Sequence, residues 1–129
     1  MNVFTIELKD QPGELAHVCE ALAPHGVNLM MAGVTTGNHG TICVTADNDE
    51  PVRTALEGAG IDFTERPALR LRCPDRPGEA ARFARALANA DVNIQALLPV
   101  SICQGEATLA LCVDKTAEAT AALGDQLVT

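Results

Sequence analysis

Asp10-Gln11-Pro12-Gly13-Glu14 returns 65 residues later as Asp75-Arg76-Pro77-Gly78-Glu79. The echo continues in register, with Leu22-Ala23 matched by Leu87-Ala88 and Val27-Asn28-Leu29 by Val92-Asn93-Ile94. A repeat of this length is a domain-sized unit rather than a rung of a solenoid, so the chain reads as two copies of one small fold, residues 1–66 and 67–129. Two related units packed together create an interface, and an interface is a natural place for a ligand.

Working outward from the repeat gives the order of elements. Phe4, Ile6 and Leu8 alternate with Thr5, Glu7 and Lys9, the pattern of a strand with one buried face. Leu69, Leu71 and Cys73 alternate in the same way with Arg70, Arg72 and Pro74. Pro12 then opens a helix, because a residue without an N–H is tolerated there. Leu15, Val18, Cys19 and Leu22 form its apolar stripe, repeated by Ala80, Phe83, Ala84 and Leu87. Gly26 suits a left-handed cap where the first helix ends.

The pattern predicts a second strand over 27–35, a turn at 37–40, a third strand over 41–46 and a second helix entered through Asp47-Asn48-Asp49. A fourth strand over 61–65 closes the first copy. Leu109, Leu111 and Val113 answer Ile42, Val44 and Ala46 at a spacing of 67, so the later copy has gained two residues between its second and third strands. Its fourth strand is only beginning at Leu127-Val128-Thr129. The fold class is therefore α+β: two ferredoxin-like βαββαβ units, with helices on one face of antiparallel sheets and the last strand truncated.

Composition narrows the function. Units of this size bury a marginal fraction of their surface, so each needs a neighbour, the other copy or a second chain. Three Phe, no Tyr and no Trp, together with a net charge of −8, speak against a nucleic-acid partner. Residues 1–66 hold ten acids against three bases, whereas residues 67–129 hold seven against six. Five of those six bases are arginines between Arg70 and Arg85, which favours anion binding in the second copy. The five cysteines lie in apolar patterns without C-x-x-C spacing, and no run has transmembrane length. A cytoplasmic protein with buried, reduced cysteines is expected, with no membrane partner and no cofactor.

Asp-x-Pro-Gly carries the local chemistry, and two readings stand beside each other. In one it only starts a helix: Asp offers a side-chain acceptor, Pro fixes φ and Gly removes bulk. In the other the free N–H groups of that helix start hold a carboxylate, with Gly allowing close approach. Arg76 stands where the first copy has Gln11, and reads either as a bidentate carboxylate clamp or as a solvated loop residue. Arg82 and Arg85 read as a solvated helix face. Asn28 and Asn93 begin the second strands, at the opposite end of the layer from the Pro-Gly turns, and reach such a turn only from another domain or subunit. His17, His25 and His39 have no metal-ligand spacing, and no nucleophile has a base at motif spacing.

Asp-Gln-Pro-Gly-Glu-Leu-Ala, an apolar helix and then Gly-Val-Asn-Leu resemble the ACT domain, and the second copy resembles it again. The resemblance covers nearly the whole chain. It implies regulatory units that adopt this ferredoxin-like fold, pair side by side and bind amino acids at the paired interface. Ligand contacts in such domains come from the turn before Pro-Gly and from the Asn of Val-Asn-Ile. Carried over, the binding residues are Asp10, Gln11, Pro12, Gly13, Asn28 and Leu29, with Asp75, Arg76, Pro77, Gly78, Asn93 and Ile94. Leu8 and Cys73 stand where some members have polar groups, which speaks against a ligand with a polar side chain. The resemblance thus implies a non-catalytic sensor of a free amino acid or similar small carboxylate, a homodimer acting on a partner metabolic enzyme. The alternative is a protein–protein interaction module that regulates an enzyme without any small molecule.

Overall fold

Burial along the first strand follows the alternation read from its sequence. The structure, a computed structural model, describes residues 1–128. In β1 (Asn2–Lys9), Phe4 and Ile6 are fully buried while Glu7 is exposed. There follow α1 (Glu14–Leu22), β2 (Leu29–Thr36), β3 (His39–Ala46), α2 (Asp49–Gly58) and β4 (Thr64–Pro67). The second unit repeats the order as β5 (Leu69–Pro74), α3 (Glu79–Asn89), β6 (Ile94–Cys103), β7 (Glu106–Val113), α4 (Thr116–Leu123) and β8 (Leu127–Val128). The chain divides by internal contacts into Met1–Pro67 and Ala68–Thr129.

Each unit holds one four-stranded sheet in which every pair is antiparallel, ordered β2-β3-β1-β4 in the first and β6-β7-β5-β8 in the second. This is the ferredoxin-like βαββαβ arrangement. Helices lie on one face. In the first unit Val18 and Leu22 of α1 and Val52 and Leu56 of α2 pack with Phe4, Ile6 and Val44. Phe63 stacks obliquely on Phe4, with ring centroids 5.7 Å apart. In the second unit Phe83 and Leu87 of α3 and Ala119 and Leu123 of α4 pack with Leu71 and Leu111. The short last strand forms, with Leu127 paired to Leu71 and Val128 to Arg70. Thr129 lies outside the described residues.

Several details differ from the sequence expectation, each for a local reason. Pro12 does not open the helix. Gly13 and Gly78 adopt φ values of +92° and +91°, and the helices start at the glutamates that follow. No side chain caps either helix, so Asp10 and Asp75 do not act as capping acceptors. The second strand begins at Leu29 rather than at residue 27, because Gly26 turns left-handed after a 3-10 turn. The fourth strand is displaced to Thr64–Pro67, where Glu65 accepts hydrogen bonds from Arg53 of α2 and from Asn2. The stripe of α1 is incomplete, since Leu15 is exposed. Only Cys73 and Cys112 are buried, whereas Cys19 and Cys43 are half-buried and Cys103 is exposed at the end of an edge strand.

The two added residues sit inside a strand. Leu29 pairs with Ala46 and Thr36 with His39, while Ile94 pairs with Val113 and Cys103 with Glu106. β6 therefore uses 10 residues to span what β2 spans with 8, and register shifts between Ile94/Ala96 and Pro99/Ser101 leave Gln95 and Val100 outside the ladder. These are β-bulges on an edge strand, where a lost partner is least costly.

The start of α3 is fixed by an ion network. Glu79 has a side chain only 8% exposed, and it accepts from Arg76 Nε at 2.9 Å and from Arg82 Nε at 2.9 Å. Arg82 Nη1 also donates to Gln126 Oε1 at 3.2 Å, tying α3 to the segment just before β8. Arg82 is thus part of a network rather than a solvated face, and Arg76 is engaged by its own unit. The hydrogen bond from Arg82, and then that from Arg76, hold the Glu79 carboxyl below its ordinary range against the cost of burial.

Two outcomes follow from these constraints. A side chain at φ near +90° is strained, so Gly13→Ala and Gly78→Ala should each lower unfolding free energy by about 1–3 kcal/mol in urea titrations. An unchanged midpoint would contradict the assigned turn. For Glu79, the folded pKa lies below the ordinary value of 4.5, so its stabilisation is present above that value and disappears as pH falls through the lowered one. Wild type should exceed Glu79→Gln in stability at neutral pH, and the gap should shrink as the pH is taken down through and below the ordinary carboxylate range. A gap independent of pH would rule the network out as its source.

Candidate functional site

The loop after β1 is folded by its backbone. Asp10 N–H donates to the Asn38 carbonyl at 3.1 Å, tying the loop to the β2–β3 turn. Gln11 N–H donates to the Lys9 carbonyl at 2.9 Å, and Lys9 N–H to Glu14 Oε1 at 3.2 Å. Pro12 and the left-handed Gly13 then aim the chain into α1. With no side-chain cap, the first N–H groups of α1 present unscreened positive partial charge.

Beside this helix start lies a groove of about 580 Å³, whose wall includes Asp10, Gln11 and Glu14. Register explains its floor. Leu8 pairs with Gly40, Gly40 with Thr35, and Ile42 with Gly33, and directly paired residues share a face. Leu8, Gly33, Thr35, Gly40 and Ile42 thus lie on the face that carries the helices, near the edge strand β2. Two of these five positions have no side chain. A Cβ at Gly33 would come within 2.9 Å of Ile42 Cγ2, so Ile42 lies flat over bare backbone. A Cβ at Gly40 would meet Leu8 and Thr35 at 3.7–3.8 Å, ordinary contact distances that leave room there for a methyl. Leu15, 47% exposed, and Met31 add apolar walls. Such a concave, mostly apolar site with a few convergent polar groups is what small ligands require.

The second unit repeats the loop backbone with different contents. Asp75 N–H donates to the Gly105 carbonyl at 2.8 Å, and Arg76 N–H to the Pro74 carbonyl at 3.1 Å. Here, however, the glutamate at the helix start is buried between Arg76 and Arg82. The same five register positions are occupied by Cys73, Pro99, Ile102, Ala107 and Leu109, none of them glycine.

The expected site residues fall into two groups in each unit. Asp10, Gln11, Pro12 and Gly13 stand at the end of the sheet where Lys9 pairs with His39, while Leu29 pairs with Ala46 at the other end of β3. The 8 residues of β3 separate them by about 24 Å at the usual rise. Asp75, Arg76, Pro77 and Gly78 are separated from Asn93 and Ile94 in the same manner. Leu29 and Ile94 are half-buried against the two cores. Asn28 is exposed. Asn93 is held at the β7–α4 junction, its N–H donating to Asp114 Oδ1 at 2.9 Å and its carbonyl accepting from Asp114 N–H at 3.2 Å. Nearby, Lys115 Nζ donates to the Asp91 carbonyl and to Asp91 Oδ2, both at 2.8 Å.

Sequence reasoning missed Gly33, Thr35, Gly40 and Ile42. The available signal was glycine inside two strands, which often marks close approach of a ligand or another backbone. Burial raises the Cys73 thiol, and the Glu79 charge adds to that, disfavouring a thiolate. Among the described residues no group of three or more His, Cys, Asp or Glu side chains could hold a metal ion, and no helix is long and apolar enough to cross a membrane.

Comparison with known proteins bears on the fold and, over shorter stretches, on the sequence. No family model matches the chain. The chain is 42% identical over 60 residues to an aspartokinase of Corynebacterium efficiens, covering 46% of this chain and 14% of that protein. It is 37% identical over 73 residues to an aspartokinase of Corynebacterium glutamicum, covering 56% of this chain and 17% of that protein. The chain therefore matches less than a fifth of the length of these curated relatives. Among solved structures, a Bacteroides thetaiotaomicron protein superposes with a TM-score of 0.84 at 18% identity, over 98% of this chain and 90% of that one. The regulatory subunit of aspartate kinase from Thermus thermophilus superposes with a TM-score of 0.67 at 23% identity, over 95% and 86%. Two antiparallel βαββαβ units, each with an Asp-x-Pro-Gly turn between its first strand and first helix, give the chain the fold of these structures, the regulatory subunit of aspartate kinase among them.

Proposed function

We propose that this chain is a non-catalytic regulatory protein that binds a free amino acid and passes the binding event to a metabolic enzyme. The observation that carries this reading is the glycine-floored groove beside the uncapped start of α1. An α-amino acid meets complementary groups there. Its carboxylate suits the N–H groups of the helix start and the Lys9 ammonium, and its ammonium suits Asp10 and Glu14. The regulatory role draws support from the names of the relatives: the partial sequence matches are aspartokinases, and one solved neighbour is named a regulatory subunit of aspartate kinase.

In this reading the protein works in the cytoplasm as a homodimer. Asn28, about 24 Å from the groove of its own unit, acts on ligand bound to a second copy of the chain. Leu29 positions that asparagine by packing against the core. A second reading is favoured by the exposed apolar side chains of the edge strands, Val34 at 68% and Ile102 at 62% among them. These suit docking onto an enzyme without any small molecule.

A thermal-shift screen of the free amino acids separates the readings. At one hundred times its Kd, a ligand that binds only the folded state adds about 2.7 kcal/mol of stability, a shift of several degrees that grows with concentration. Asp10→Ala should diminish the shift, and so should Asn28→Ala, without lowering the ligand-free melting temperature by more than about a degree. If no amino acid shifts melting at millimolar concentration, the docking-module reading replaces the sensor.

A further inference from the structure

We infer that the chain takes its ligand in the first unit alone, and that this ligand is an α-amino acid with an aliphatic side chain. The inference rests on the sensing role proposed above and adds which unit binds, what class of side chain enters and which positions decide it. Register gives a position-by-position comparison that the sequence repeat does not. The bulges at Gln95 and Val100 shift the count, so Gly33 corresponds in the ladder to Pro99, Thr35 to Ile102 and Gly40 to Ala107. Each of the three changes adds bulk in the second unit. Ala107 is buried within that unit's core cluster, so a methyl occupies there the room that Gly40 leaves in the first unit.

The polar ends differ in the same direction. In the second unit the Glu79 carboxylate already has two arginine partners, and the Arg76 guanidinium is committed to it through Nε. An incoming ammonium finds a neutralised acid, and an incoming carboxylate finds a paired arginine. In the first unit Gln11 replaces the arginine, and among the described residues no ion pair engages Asp10 or Glu14. Both charges of a zwitterion therefore have partners beside the groove that no ion pair engages, Glu14 accepting only from Lys9 N–H.

The floor selects the side chain. Leu8 and Ile42 line it, with Leu15 and Met31 at its walls, and Thr35 is the polar member of the register set. A carboxylate, amide or ammonium side chain would give up hydration against hydrocarbon without recovering its hydrogen bonds. An aliphatic side chain gains contact along the same surface, and each methylene buried in such a pocket changes binding by about tenfold or more.

The test is titration calorimetry on the full chain with L-leucine, L-isoleucine, L-valine, L-methionine, L-serine, L-aspartate and L-lysine. The expected result is one ligand per chain, with the tightest aliphatic amino acid bound at least about tenfold more strongly than serine, aspartate or lysine. The double variant Thr35→Ile/Gly40→Ala carries the second unit's residues into the first groove. It should weaken binding at least about tenfold with no fall in melting temperature, since a methyl at Gly40 meets only ordinary contacts. Gly40→Ala alone serves if the double variant unfolds, and should weaken binding in the same direction. The reciprocal variant Ile102→Thr/Ala107→Gly should leave affinity unchanged wherever its melting curve remains cooperative. A stoichiometry other than one per chain, or unchanged affinity in the first-unit variants, overturns the single-unit assignment while leaving the sensing role intact. One ligand per chain with serine, aspartate or lysine bound most tightly overturns the aliphatic assignment alone. If none of these seven and none of the remaining amino acids binds, the sensing role falls and this inference falls with it.

Discussion

In each unit, two short helices have to cover the apolar face of a four-stranded sheet. α1 has 9 residues and α2 has 10, lengths of about 14–15 Å at the helical rise. Strands β1, β2 and β3 each have 8 residues and run about 24 Å from first to last residue. Coverage is therefore incomplete by geometry. Val18, Leu22, Val52 and Leu56 close over Phe4, Ile6 and Val44, and the uncovered remainder falls beside β2 at the end where α1 begins. What occupies that remainder decides the character of the unit. Glycine at 33 and 40 leaves it concave in the first unit, while Pro99 and Ala107 build up the same positions in the second and Ile102 stands in place of Thr35.

The two units thus share a backbone plan and differ in how the start of the first helix is stabilised. Left-handed Gly13 and Gly78 turn both chains identically, and in both the preceding loop is bonded to the β-hairpin turn. In the second unit the glutamate after glycine is enclosed by Arg76 and Arg82, and Arg82 extends the network to Gln126. That network binds the end of the unit to its α3, a useful device where β8 contributes only 2 paired residues to the sheet. The first unit has a longer closing strand, which pairs with β1 over four residues and is itself held by Arg53 through Glu65. Its helix start is correspondingly free of internal ion pairing.

Much of the architecture was legible in the repeat. Alternation at Phe4, Ile6 and Leu8, the helical stripe at Val18 and Leu22 and the hairpin glycines gave the element order, and the matched copies gave the count of units. Boundaries were less legible, because a positive φ at Gly13 delays the helix past the proline that was expected to open it. The groove was hidden for a deeper reason. Its floor is assembled across three strands, and knowing that Leu8 stands opposite Gly40 and Thr35 requires the pairing register. The bulges compounded this, since an insertion visible as a count of two has no visible position until the ladder assigns Gln95 and Val100. Glu79 was invisible as an anchor because Glu14, in the same motif, has no arginine at either matching position. The residues at the Asp-x-Pro-Gly turn and those at Val-Asn-Leu were legible, and so was their placement at opposite ends of the layer, which follows from the parallel course of β1 and β2.

The central claim is that a small zwitterion occupies the groove of the first unit. Backbone amide resonances recorded during titration with the amino acid that stabilises the protein most would test it directly, since glycines report from both units. The account predicts that Gly13, Gly33 and Gly40 shift along saturating curves with one Kd, while Gly78 and Gly105 stay in place. Saturating shifts at Gly78 and Gly105, with Gly33 and Gly40 unmoved, would contradict it.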